Sequence, residues 1–167
     1  MFLDESGVNI DLTRRYGRSI GQKRVIDHVP LNTPQRLTVL GAMRWDGPVA
    51  FTSYLGGTTG VQFVSYLKDK LLPMLHPGDM VVMDNMRSHH VTAVAEAFRG
   101  TGVTPLYLPP YSPDLNPIEM LWSKLKAILR KWAVRRATDL PDAVRRAFML
   151  ILPDDCRHWL VADGYCS

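Results

Sequence analysis

Several features that define whole classes of protein are missing from this sequence of 167 residues. No apolar stretch approaches the roughly 20 residues that a membrane span needs, and the amino terminus lacks the basic and then apolar pattern of a signal peptide. Cysteine is scarce as well: Cys156 and Cys166 have no cluster of His or Cys near them, which predicts reduced thiols rather than a zinc site. We therefore expect no membrane partner and a cytoplasmic location.

The residues that are present are those of a globular protein with an unevenly charged surface. Hydrophobic residues make up 46% of the chain, enough apolar material for one core, so we expect a single domain over residues 1–167. The net charge is +4, and the basic residues include two separate tracts. Residues 124–146 hold eight Lys and Arg residues against two Asp residues, and a second tract holds Arg14, Arg15, Arg18, Lys23 and Arg24. Such tracts fit a polyanion such as DNA, although two solvated faces are an equally good interpretation.

The periodicity of apolar residues predicts strands in the first half of the chain, and strands alternating with helices in the second. A short strand over 1–6 is followed by a long loop or weak hairpin over 7–36. Two β-rich runs, 37–43 and 49–55, flank the hairpin signal Asp46-Gly47, and a helix capped by Thr58 or Thr59 comes next. The remaining elements are strands at 79–84 and 103–108 and helices at 90–99, 116–132, 138–152 and 153–161. This is the element order of the ribonuclease H-like fold, an α/β fold with a mixed sheet flanked by helices.

Three acidic residues stand where the predicted elements give them little structural reason to be. Asp4 follows the apolar pair that starts the chain, Asp84 closes the apolar run 80–83, and Glu119 lies at the start of the helix at 116–132. An aspartate that ends a short apolar strand lies at the carboxyl edge of the sheet, where open α/β sheets bind their ligands. Glu5 points to the opposite face of its strand from Asp4, so only one of these neighbours can join the cluster.

The acidic cluster predicts a metal site. Carboxylates gathered at one edge repel one another unless a cation binds them. Hard oxygen ligands suit Mg²⁺ or Mn²⁺, and two such ions can activate a water or hydroxyl and stabilise the leaving oxygen of a phosphodiester displacement. The sequence therefore predicts two divalent cations and phosphoryl transfer on nucleic acid.

Three motifs around these acids resemble those of a known family. Residues 2–7 read Phe-Leu-Asp-Glu-Ser-Gly, residues 82–85 read Val-Met-Asp-Asn, and residues 108–119 read Leu-Pro-Pro-Tyr-Ser-Pro-Asp-Leu-Asn-Pro-Ile-Glu. Over nearly the whole chain, the sequence resembles the DDE transposases of the Tc/mariner superfamily, in its bacterial insertion-sequence branch. The resemblance favours Asp4 over Glu5 and implies that Asp4, Asp84 and Glu119 are the catalytic and metal-binding triad of a ribonuclease H-like core.

The resemblance also implies partners and a location. Enzymes of this superfamily use two divalent ions to nick the ends of a mobile element and join the 3′-hydroxyl to target DNA. This implies double-stranded DNA as the partner, a homodimer when active on DNA, and a bacterial, nucleoid-associated location. Members also carry an amino-terminal helix-turn-helix region that reads the terminal repeats. The sequence has no room for one before Asp4, so we expect that region to be absent from residues 1–167.

Four basic residues follow Glu119 on the same predicted helix: Lys124, Lys126, Arg130 and Lys131. With DNA as the substrate, we expect them to contact its phosphates. The structural alternative is a solvated helix face.

Residues beside the motifs have functional and structural interpretations. Asn85, Ser88, His89 and His90 could contact DNA or a metal-bound water, although Ser88 could equally cap the next helix. Tyr111 could stack on a DNA base, and Asp114 is expected to be a turn residue. Asn116 is expected to cap the helix that presents Glu119, and Trp122 and Trp132 are expected in the core.

Two other functions fit parts of the sequence. One is another ribonuclease H-like nuclease, such as an RNA-strand hydrolase or a junction resolvase, which the motif at 112–119 disfavours. The other is a catalytically silent DNA-binding or oligomerisation remnant of a mobile element, which the intact triad disfavours. Metal-dependent DNA strand cleavage and transfer remains the leading prediction.

Overall fold

A computed structural model describes residues 1–14, 16–21, 23–31, 36–86, 89 and 92–165. Arg15, Ser88, His90 and Cys166, which were discussed above, lie outside this part of the chain. Within the described residues, no helix combines the length and the apolar character needed to cross a membrane. Cys156 is a free thiol, as predicted, and its burial raises its pKa to about 11.

Five strands and five α-helices lie within the described residues. The strands are β1 (Phe2–Val8), β2 (Leu37–Arg44), β3 (Gly47–Leu55), β4 (Met80–Met83) and β5 (Thr104–Tyr107). The helices are α1 (Gly60–Tyr66), α2 (Thr92–Phe98), α3 (Ile118–Trp132), α4 (Leu140–Phe148) and α5 (Pro153–Ala162). Short helical turns extend α1 (Leu67–Leu71 and Leu72–Met74) and precede α3 (Pro113–Leu115) and α4 (Ala137–Asp139).

The strands form one mixed sheet in the order β3-β2-β1-β4-β5. β2 pairs antiparallel with β1 and β3, whereas β4 pairs parallel with β1 and β5. The predicted hairpin is confirmed: Gly47 adopts a φ of 133° at the turn into β3, a conformation that a residue with a side chain rarely adopts. β1 extends to Val8, further than predicted, because it pairs with β2 along its whole length. Because β1 is the third of the five strands in the sheet, Asp4 lies on the central strand.

The sheet lies between two helical layers, each with its own hydrophobic core. Phe2 packs in the core formed with α3, α4 and α5, and Leu3 packs in the core formed with α1 and α2. The alternation of side chains along β1 places Asp4 on the α3 side and Glu5 on the α1 side. Asp4 accepts a hydrogen bond from Trp122 of α3, and Glu5 accepts one from the hydroxyl of Thr58. Asp4 and Glu5 therefore lie on opposite faces of the sheet, as the alternation along the strand predicted.

Helix α3 packs against the sheet through a continuous apolar stripe, formed by Ile118, Leu121, Trp122, Leu125 and Leu129. The stripe follows the helical spacing read from the sequence. The predicted cap is wrong, however: Pro117 holds the N-cap position of α3, and no side chain caps the helix. Helix α1, by contrast, is capped as predicted, because Thr59 and Gln62 form a reciprocal capping box.

Candidate active site

Two of the predicted carboxylates lie on neighbouring parallel strands. The register of β1 and β4 pairs Leu3 with Met83, and Asp4 and Asp84 each follow that pair directly. Because β4 ends at Met83, Asp84 lies just beyond the carboxyl end of its strand. This edge of a parallel sheet is where α/β folds bind their ligands.

Glu119 joins the group from a helix. It is the second residue of α3, which follows a proline-rich loop at residues 109–113. Asp4, Asp84 and Glu119 all line the same cavity of about 370 Å³, and the proline-rich loop forms part of its wall. The structure therefore brings the three predicted carboxylates to one cavity from two strands and a helix.

The Asp4 carboxylate is buried, with only 5% of the residue exposed. Oδ1 accepts a hydrogen bond from the backbone N–H of Glu5 at 2.7 Å. Burial raises the pKa of Asp4 to about 7, the Glu5 hydrogen bond opposes that rise, and the carboxylates of Asp84 and Glu119 add to it. The charges of Asp84 and Glu119 therefore act on Asp4 across the cavity.

Two further donors bind Asp4, and the sequence did not reveal either of them. The side-chain amide of Asn116 and the indole N–H of Trp122 donate to Oδ2, at 3.3 and 3.2 Å respectively. Asn116 was expected to cap α3 and Trp122 only to fill the core. One signal was available for Trp122: it follows Glu119 by three residues, which places the two side chains on neighbouring parts of one helical face.

Asp84 is held by a buried histidine. Nδ1 of His89 lies 2.7 Å from Asp84 Oδ1, and the backbone N–H of Met86 donates to the same oxygen at 3.2 Å. The His89 ring is fully buried and stacks on Phe63, with the ring centroids 4.1 Å apart. Because the ring faces the protein interior, the structure favours the structural interpretation of His89 over direct contact with DNA.

The three carboxylates do not form a closed ligand set. Among the residues that the structure describes, no three His, Cys, Asp or Glu side chains are grouped closely enough to hold one metal ion. The donor type nevertheless fits Mg²⁺ or Mn²⁺, since the acidic side chains Asp4, Asp84 and Glu119 line the cavity with carboxylate oxygens. Asp4, Asp84 and Glu119 are the residues that could hold divalent cations here.

The basic residues of α3 differ in their surroundings. Lys126 is partly buried, which lowers its pKa, and the nearby Glu119 carboxylate opposes that effect. Arg130 and Lys131 line a surface depression together with Arg14, so the two basic tracts meet there. Lys124 is instead ion-paired with Asp155 of α5.

The proline-rich loop presents an exposed aromatic side chain at the cavity. Tyr111 is fully exposed, has a φ of 58°, and lines the cavity. Asp114 lies in the helical turn before α3, as expected for a turn residue. Trp132, expected in the core, is only partly buried, and the guanidinium carbon of Arg146 lies 5.3 Å from the centroid of its ring.

Comparison with solved structures identifies the fold. The catalytic domain of Mos1 mariner transposase matches with a TM-score of 0.62 at 14% identity, over 98% of this chain and 82% of that one. The Mos1 strand transfer complex matches with a TM-score of 0.62 at 16% identity, over 98% of this chain and 54% of that one. The chain thus spans about half the length of the protein in that complex. The predicted ribonuclease H-like fold is confirmed.

A more distant match points to the same fold. A chain of the simian T-cell lymphotropic virus intasome, in complex with PP2A regulatory subunit B56 gamma, aligns with a TM-score of 0.52 at 15% identity. That alignment covers 88% of this chain and 46% of the other.

Sequence comparison identifies the family. No curated protein shows significant sequence similarity to the chain. Residues 1–141 match the family profile of the DDE superfamily endonucleases, and these residues include all three motifs and the three acids of the cavity. The chain belongs to the DDE superfamily endonucleases.

Proposed function

We propose that the chain is the catalytic domain of a DNA transposase. It cleaves DNA strands at the ends of a mobile element and joins the freed 3′-hydroxyl to target DNA by in-line phosphoryl transfer. The observation that carries this proposal is the convergence of Asp4, Asp84 and Glu119 on one open cavity, in a chain of the DDE endonuclease family. The likeness to the Mos1 catalytic domain supports it at the level of the fold.

Divalent cations are the proposed cofactors. Asp4, Asp84 and Glu119 would hold two Mg²⁺ or Mn²⁺ ions. When bound, such ions activate the attacking water or hydroxyl and stabilise the leaving oxygen. Structures of the Mos1 paired end complex with Mg and with Mn support this choice of metal.

The protein's own groups fix the geometry of the carboxylates. Asp4 is held by three hydrogen bonds and Asp84 by His89, whereas Glu119 is carried by the first turn of α3. Such constraint lowers the cost of bringing ligands and substrate into the reactive arrangement.

Double-stranded DNA is the proposed substrate, both as element ends and as target. Lys126 lies within electrostatic reach of Glu119, and Arg130, Lys131 and Arg14 lie further along the same side of α3. This line of positive charge would hold the DNA backbone while a phosphodiester enters the cavity. The fully exposed ring of Tyr111 is available to stack on a base at the cavity. We propose a homodimer as the form active on DNA.

Metal-dependent cleavage is the first test. We expect the chain to nick supercoiled plasmid with Mg²⁺ or Mn²⁺ but not with chelator, and Asp84→Asn to abolish nicking. Asp69→Asn, a change of the same chemistry at an exposed aspartate of the opposite helical layer, should leave the rate unaltered. Strand transfer is then measured with labelled element ends. Preferential cleavage of an RNA/DNA hybrid would point instead to an RNA-strand hydrolase.

Calorimetry separates an enzyme from a silent remnant. We expect Mn²⁺ to bind the unaltered chain and Asp84→Ala to abolish that binding. Equal and negligible heats for the two proteins would support a catalytically silent DNA-binding remnant and contradict the proposed function.

A further inference from the structure

The hydrogen bonds to Asp4 divide unequally between its two oxygens. Oδ2 accepts from the Asn116 amide and the Trp122 indole, whereas Oδ1 accepts from the backbone N–H of Glu5. A carboxylate oxygen has two lone pairs, so both acceptor positions of Oδ2 are filled. Within the described residues, the remaining acceptor position of the carboxylate is therefore the second lone pair of Oδ1.

Both donors to Oδ2 come from the segment that presents Glu119. Asn116 lies three residues before Glu119, and Trp122 lies three residues after it. A buried indole N–H needs a hydrogen-bond partner, and Trp122, which is 1% exposed, has Asp4 as that partner. The segment 116–122 therefore contains one acid of the site, Glu119, and holds a second, Asp4, by hydrogen bonds.

A glycine on the neighbouring strand makes room for the indole. Gly41 of β2 pairs directly with Asp4 of β1, so a side chain at position 41 would lie on the same face of the sheet. A Cβ atom at Gly41 would lie 3.1 Å from Cη2 of Trp122 and 3.4 Å from Cζ of Phe148. The backbone of Gly41 is not left-handed, so the position needs glycine for space rather than for conformation. The Trp122 ring occupies that space.

We infer that Trp122 and Asn116 are positioning residues for Asp4, which would hold a cation, and that Gly41 provides the space in which the indole reaches it. The inference rests on the proposed function, because it takes Asp4 as a metal ligand. A purely structural Trp122 would need only its ring volume, which phenylalanine largely supplies. A positioning Trp122 also needs its N–H, which phenylalanine lacks.

Calorimetric titration with Mn²⁺ tests this on the whole chain without any activity measurement. We expect Trp122→Phe to weaken Mn²⁺ binding about ten- to hundredfold, the usual cost of losing a partner that orients a metal ligand. Asn116→Ala should also weaken it. Leu129→Ala, which opens a cavity at the far end of the same helix, controls for a general loss of stability and should leave Mn²⁺ affinity unchanged.

A double-mutant cycle tests the role of Gly41. Gly41→Ala should weaken Mn²⁺ binding in the unaltered chain, because the new methyl group displaces the indole. The same change should have no further effect in the Trp122→Phe background, where no indole N–H remains to be displaced. Cooperative thermal unfolding of each variant shows that it is folded. Should Trp122→Phe not fold, the Mn²⁺ affinities of Gly41→Ala and Asn116→Ala test the inference instead: both should be weakened, and unchanged affinities would overturn it.

The possible outcomes separate this inference from the proposed function. If Trp122→Phe binds Mn²⁺ like the unaltered chain while Asp84→Ala does not bind it, the inference is overturned and the proposed function stands. Equal losses in Trp122→Phe and Leu129→Ala also overturn it. If the unaltered chain binds no Mn²⁺, the proposed function fails and the inference fails with it.

Discussion

Nδ1 of His89 lies 2.7 Å from Oδ1 of Asp84 and 3.2 Å from the backbone carbonyl oxygen of the same residue. One ring nitrogen thus contacts both the side chain and the main chain of the residue that follows β4. Stacking on Phe63 and a hydrogen bond from the Tyr107 hydroxyl to the His89 carbonyl, at 2.9 Å, fix the histidine in turn. Asp84 is therefore oriented from inside the protein.

This contact predicts a split between turnover and DNA affinity in His89 variants. His89→Leu should lower kcat roughly ten- to hundredfold, the cost of losing an outer partner of a metal ligand, because Asp84 is no longer oriented. The KM for DNA should stay the same, since the ring is buried away from any DNA. Steady-state nicking assays measure both quantities. His89→Asn keeps a donor near the position of Nδ1 and should recover part of kcat; an asparagine variant no better than leucine would contradict this role.

The buried Asp4 predicts how stability depends on pH. Its pKa is raised from 3.8 to about 7 in the folded protein, chiefly by burial. Between about pH 4 and pH 7 the folded state keeps a proton that the unfolded chain has lost, so the free energy of unfolding falls as pH rises and levels off above pH 7. The contribution is as much as about 4 kcal/mol, at 1.36 kcal/mol for each pKa unit.

Asp4→Asn should remove this pH dependence, because its amide does not ionise. Chemical denaturation of both proteins in chelating buffer, at several values between pH 4 and pH 8, measures the difference. The unaltered chain should lose stability relative to Asp4→Asn across that window. Parallel pH profiles for the two proteins would show that burial does not raise the pKa of Asp4.

The basic residues of α3 predict the salt dependence of DNA binding. Lys126→Ala and Arg130→Ala should each reduce the slope of log affinity against log salt by about 1, the value for one lost phosphate contact. Lys124→Ala should reduce it less, because that ammonium group is already paired with Asp155. Fluorescence anisotropy with labelled duplex, at several salt concentrations, measures these slopes. Lys68→Ala, an exposed lysine of the opposite helical layer, serves as the control. An equal slope reduction in the control would mean that α3 has no special role.

The carboxyl end of α3 predicts a stabilising substitution. Ala133 caps the helix in the left-handed conformation, with φ 51° and ψ 48°. Because a Cβ atom disfavours that conformation by roughly 1–2 kcal/mol, Ala133→Gly should raise the free energy of unfolding by about 1 kcal/mol. Thermal and denaturant unfolding measure the change. Ala127→Gly, at an exposed position in the middle of α3, should instead lower it by about 1 kcal/mol.

Local patterns in the sequence were sufficient to locate most of the fold. The hairpin at Asp46-Gly47, the cap at Thr59 and the apolar stripe of α3 each depend on residues within a few positions of one another. The alternation of side chains along a strand is also a local pattern, and it was sufficient to place Asp4 and Glu5 on opposite faces of the sheet. Residues 2–7, 82–85 and 108–119 also carried the motifs by which the family could be recognised before the structure.

The support around Asp4 depended on contacts between distant parts of the chain. Asn116 was expected to cap a helix, yet its amide bonds to Asp4, and Trp122 was expected only to fill space. His89 turns inward and Lys124 pairs with α5. Periodicity shows which face of an element is apolar. It does not show which polar atoms of two different elements will contact each other. Those contacts depend on how the helices pack on the sheet, so packing decided how Asp4 is held and that the ring of His89 turns inward onto Phe63.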